Sequence, residues 1–146
     1  MTQQRERAVA LPVMLLLAFV SACHGLSPTP TPTIDEAQAI QLALQIATTD
    51  DFHFVGAHEK PTNIHSELMS LSEVSEKLRA EDLEFGYASS EYPGSLKVWV
   101  VTMDGTWPRE FPSRLPGEPP REPYRRLGVI LDAYTGNRVG IAVQLP

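Results

Sequence analysis

Two rhythms of apolar and polar residues run along the chain after Thr33, a helical one first and an alternating one later, and each marks out elements. Thr33 followed by Glu36 has the spacing of a capping box just ahead of an apolar periodic run, which predicts a helix over Ile34–Ala47. At about 100° per residue, Gln38, Gln41, Gln45 and Thr48 gather on one narrow face. Ala37, Ala39, Ala43 and Ala47 share the remainder with Ile40, Leu42, Leu44 and Ile46. So wide an apolar arc has to be covered on most sides. The alanines predict close approach to a sheet, with the larger residues filling the main core.

After Asp50 and Asp51, extended pieces are expected around Phe52–Gly56 and Thr62–Met69, separated by a polar turn at Pro61. A second capping box, Ser70 to Glu73, opens a short surface helix with Leu71, Val74 and Leu78 on one face and a Glu73–Lys77 pair on the other. In Lys97–Met103 both alternating sets are largely apolar, which predicts a strand covered on both faces. Asp104-Gly105 is a turn signal, with Thr106 and Trp107 beginning a return. The six prolines from Pro108 to Pro123 forbid regular pairing and predict an irregular loop projecting from the sheet. The chain resumes at Arg125–Asp132, turns at Thr135-Gly136-Asn137 and finishes with Arg138–Leu145. There Val139, Ile141 and Val143 alternate with Gly140 and Ala142, the pattern of a strand with one well-buried face. The predicted fold is α+β: an N-terminal helix packed on an antiparallel sheet of about four to five strands, with a second short helix.

The residues ahead of this domain follow another logic. Arg5 and Arg7 precede Ala8–Val20, a stretch without charge. A helix needs about 20 apolar residues to cross the hydrocarbon core, and this run of about 13, interrupted by Pro12, falls short. It closes on Val20-Ser21-Ala22-Cys23, which resembles the lipobox of bacterial lipoproteins. The resemblance implies that residues 1–22 are a cleaved signal peptide and that the Cys23 sulfur carries a diacylglycerol with fatty chains such as palmitate. Small Ser21 and Ala22 suit close approach by a peptidase, and only a thiol can form the thioether. Two or more chains anchor stably where one holds reversibly. His24 stands where an aspartate would mark inner-membrane retention in Gram-negative lipoproteins. A general secretory signal, with Cys23 a free thiol, is the alternative. Pro28, Pro30 and Pro32 alternate with threonine up to Thr33, so residues 23–33 form an extended spacer ahead of a single domain over 34–146. The location expected is the cell envelope, outside the cytoplasm and attached to a membrane through lipid on Cys23.

A domain of about 113 residues supports one modest core without disulfides, and a lone cysteine could make none internally. The net charge of −6 moves to about −7 once Arg5, Glu6 and Arg7 leave. An acidic surface repels phosphates, which argues against nucleic acid and against a polybasic grip on anionic lipid.

Thr33–Ala47, then Val98–Gly105, and Gly128–Gly140 with its Asp132-Ala133-Tyr134-Thr135-Gly136 run, resemble the first helix, strand and closing hairpin of PepSY-type domains. That resemblance covers about half of the mature domain, in separate pieces. It implies a noncatalytic module without cofactors that binds or restrains an envelope protein or a secreted peptidase. Asp132 to Gly136 also has the composition that a tight hairpin turn needs for its own backbone.

His53, His58 and His65 lie near Glu59 and Glu67, so an envelope metal-binding protein or hydrolase using these rings is the rival reading. A metalloprotease helix needs two histidines four apart around a glutamate, and Lys60-Pro61 after His58-Glu59 breaks both spacing and helix. No serine sits in a glycine-flanked elbow, and carboxylate pairs such as Glu81/Asp82 fall beside turns. Binding is expected at the proline loop, where Trp107, Arg109, Phe111, Arg114, Arg121 and Tyr124 are of the types enriched at interfaces. The competing expectation is that the aromatic residues fold back onto the sheet.

Overall fold

The computed structural model of the chain describes residues 30–49, 56–57, 59–88, 91–109, 117 and 119–144. The leader, Cys23, most of the spacer and Phe52–Val55 of the first expected strand lie outside the described residues. Elements follow in the order α1 (Glu36–Ala47), β1 (Thr62–Ser70), α2 (Leu71–Ala80), β2 (Glu84–Ala88), β3 (Lys97–Trp107), β4 (Tyr124–Asp132) and β5 (Arg138–Val143). The strands make one five-stranded antiparallel sheet, ordered β1-β3-β4-β5-β2. The fold is α+β, and α2 carries the chain from one sheet edge to the other.

Because strand side chains alternate between faces, the sheet has two cores. Val101, Met103, Leu127, Val129, Leu131, Ile141 and Val143 cluster with α1, while Val98, Val100, Ile130 and Ala142 cluster with α2. A helix on each side buries β5 on both faces, where the alternation alone predicts one. Val139 joins the α2 side because the pairing slips between Ile130↔Gly140 and Leu131↔Arg138.

In α1 the residues fully shielded by the sheet are Ala39, Ala43 and Ala47, one per turn. Their small side chains let the helix lie close to the strands. Ile40, Leu42, Leu44 and Ile46 flank that stripe and are only half-buried, which reverses the expectation that they fill the centre. The helix also begins later than Thr33-x-x-Glu36 predicts. Asp35 is the N-cap: its Oδ1 accepts the Gln38 N–H at 2.8 Å, and Gln38 Oε1 accepts the Asp35 N–H at 3.1 Å. Thr33 instead joins Ile34 in donating backbone N–H groups to Ala133 O, at 3.0 and 3.1 Å.

The second helix starts at its predicted cap, where the Glu73 carboxylate accepts the Ser70 N–H at 2.8 Å and the Ser70 hydroxyl. Val74 and Leu78 are buried against the sheet. Glu73 is thereby committed to the cap, and Lys77 reaches Glu67 at 2.7 Å and Glu81 at 3.1 Å instead of Glu73.

Two further departures involve the strands. Asp104-Gly105 makes no turn, since β3 continues to Trp107, with Asp104 opposite Arg126 and Trp107 opposite Tyr124. The reason lies in Trp107, which is fully buried and whose indole N–H donates to Ala47 O at 2.9 Å. Its ring occupies the space above Gly105, where a Cβ would stand 2.6 Å from Cη2. Glycine is needed here for room, not for reversal. The other departure is β2, a strand not foreseen, which pairs with β5 across a slip between Phe85 and Tyr87.

The β4–β5 hairpin closes as its composition predicts. Asp132, only 8% exposed, accepts the Tyr134 N–H and the Thr135 hydroxyl, each at 2.8 Å. Gly136 takes φ +76 and donates to Asp132 O at 2.9 Å. This turn lies against α1, since a Cβ on Gly136 would come within 3.0 Å of Leu42 Cδ1.

Candidate functional site

The proline-rich connection leaves β3 at Trp107 and rejoins β4 at Tyr124, and these two residues face one another as the last pair of the ladder. Trp107 belongs to the interior, so the structure removes it from the proposed binding surface. Phe111 and Arg114 lie outside the described residues. Arg109 and Tyr124 do come together: the guanidinium carbon sits 4.7 Å from the centre of the Tyr124 ring. Such stacking places a cation over the negative face of the ring. Tyr124 in turn packs its inner side on the α1 core. The Arg109 Nε is shielded from solvent and has no hydrogen-bond partner among the described residues. Arg121, half-buried, lies three residues before Tyr124 on the same approach to β4.

A second recess follows the polar stripe of α1. Gln38, Gln41 and Gln45 line a groove of about 430 Å³ with Leu42, Tyr134 and Thr135. Its polar groups are amides, hydroxyls and backbone. The glutamine face was visible in the helical pattern, whereas its apposition to the β4–β5 turn needed the tertiary fold.

On the α2 side the sheet carries a charged network. Arg126 Nε donates to Asp104 Oδ1 at 2.7 Å and Asn63 Nδ2 to Asp104 Oδ2 at 2.8 Å. The hydrogen bond from Arg126, then that from Asn63, holds the Asp104 carboxyl below its usual range, and the charge of His65 acts the same way. Reciprocally, Asp104 raises the Arg126 guanidinium. Lys77 is raised by its hydrogen bonds to Glu67 and then Glu81. These pairs are partly exposed and tie β1 to α2 and β3 to β4 by their side chains.

His65 projects from β1 opposite Thr102 and is exposed. His53 and His58 lie outside the described residues, and among the described residues no group of three metal-ligating side chains converges. No described helix is long and apolar enough to cross a membrane. Comparison of the chain with family models, with curated proteins and with solved structures finds no match.

Proposed function

We propose that the chain is a lipid-anchored, extracytoplasmic binding or inhibitory module that engages a protein or peptide partner and catalyses nothing. The observation that carries the binding half is the Arg109–Tyr124 stack, which sets a cation on an aromatic ring at the root of the proline-rich segment. An arginine held this way on an aromatic ring keeps its geometry at little entropic cost and offers a directional donor to a backbone carbonyl or carboxylate. The anchoring half rests on Val20-Ser21-Ala22-Cys23 and on the proline-threonine spacer behind it, which would hold the domain away from the bilayer. The partner expected is an envelope protein or a secreted peptidase.

The anchor is tested by growing cells with radioactive palmitate and comparing the intact chain with Cys23→Ala. Label in the intact chain alone is expected, and equal incorporation refutes the anchor. Binding is tested by recovering partners from detergent-solubilised envelope with the intact chain and with Arg109→Ala. Loss of a partner is expected, while an unchanged set refutes the assignment of the site.

A further inference from the structure

Among the described residues, no strand lies along the outer edge of β1. β1 is hydrogen-bonded to β3 along one side and ends the sheet on the other. An edge of this kind presents a row of backbone donors and acceptors ready to accept another strand. The pairing with β3 shifts between Thr62 and His65, and Asn63 takes φ 47, so the irregularity sits at one end. From His65 to Ser70 the ladder is regular. Leu68 is 39% exposed, one of two large apolar side chains so exposed among the described residues.

What could cover this edge is written in the order of its residues. Antiparallel pairing of β1 with itself, centred on Ser66, sets Ile64 opposite Leu68 of a second copy and His65 opposite Glu67 of a second copy. The apolar pair falls on the α1 face, where Ile64 already packs on the core. The imidazole and carboxylate fall on the other face, where Glu67 is already held by Lys77. A two-fold axis repeats both pairs, so the same five positions supply every contact from each side. Opposite-charge and apolar cross-strand pairs are the units that stabilise a sheet. Slipping the register by one residue would set Leu68 on the charged face and lose both matches.

We propose that β1 pairs antiparallel with β1 of a second copy of this chain, about a two-fold axis at Ser66, to make a continuous sheet across two molecules. Close to the axis each Ser66 hydroxyl donates to Glu36 of its own chain, which keeps that carboxylate satisfied as the two copies meet. Strand-edge pairing buries less than the roughly 1,200 Å² of a stable interface, so the pairing is reversible and favoured where molecules are crowded. It does not depend on Cys23 or on the Arg109–Tyr124 site.

The test uses the full chain with Cys23→Ala, so that an introduced cysteine is the sole thiol. Ser66→Cys lies on the axis and is expected to form a disulfide dimer under mild oxidation much faster than Ser75→Cys, exposed on α2. In the Ser66→Cys chain, adding His65→Glu sets two carboxylates opposite one another in both pairs and is expected to slow cross-linking about tenfold. Adding Glu67→Lys to that chain sets opposite charges across both pairs and is expected to restore the rate. Cross-linking at position 66 no faster than at position 75, or failure of the charge swap to rescue, overturns the pairing.

Discussion

Replacing Gly105 by alanine tests whether that glycine serves a turn or makes room for a ring. A Cβ there would lie 2.6 Å from Trp107 Cη2, 2.9 Å from Cζ3 and 3.1 Å from Cζ2. Trp107 cannot swing aside, because it is fully buried and its indole N–H is bonded to Ala47 O. Overpacking of this kind costs about 1–3 kcal/mol. Phe at position 107 lacks the outer indole atoms that meet the added methyl, so in a Trp107→Phe background the clash disappears. There the same Gly105→Ala change is expected to be neutral or to stabilise by about 0.5 kcal/mol through the unfolded chain. The coupling between the two substitutions is therefore about 2 kcal/mol, within the range seen for residues in contact. Urea unfolding followed by far-UV circular dichroism measures all four chains without relying on the altered tryptophan. Costs that add within about 0.5 kcal/mol would refute the steric account.

Two further outcomes follow from the turn and the charged network. Asp132→Ala leaves the Tyr134 N–H and Thr135 hydroxyl without their acceptor and is expected to cost about 2–4 kcal/mol, while Asp132→Asn, which keeps one acceptor oxygen, costs about 1; equal midpoints for the two in urea would contradict this. Asp104 has a folded pKa below the ordinary aspartate value of 3.8, so its contribution is complete above that pH and is lost as pH falls through the lower folded value. The stability gap between the wild-type chain and Arg126→Met is accordingly expected to close as pH falls below 3.8, and a gap that persists into strong acid would show that Arg126 acts by packing alone.

Local signals were enough where a segment's structure is decided within itself. The Ser70 cap and the Asp132–Gly136 turn use neighbours a few residues away, and each stands where its pattern puts it, while the apolar run at Lys97 begins its strand where expected. Signals failed where a distant residue decides. Asp104-Gly105 has turn composition, but Trp107 reaching back to Ala47 keeps the strand running, and no periodicity in the sequence reports a contact of that span. Thr33 has cap composition, but its backbone is drawn to Ala133 and Asp35 takes the cap. β2 is short, and two of its central positions are Phe85 and Gly86, so no alternation marks it. At the candidate site, Arg109 and Tyr124 were visible as residue types, yet only the pairing of Trp107 with Tyr124 brings them into contact. The same list of interface-prone residues held a core tryptophan, because composition alone does not tell a hot spot from an anchor.

The Trp107↔Tyr124 rung fixes both ends of the proline-rich segment at adjacent strands. With its ends clamped one strand spacing apart, doubling the segment's length adds only about 0.6 kcal/mol of closure entropy. Evolution or an engineer can therefore lengthen, shorten or rewrite residues 108–123 as an exchangeable cassette while the sheet beneath keeps its register.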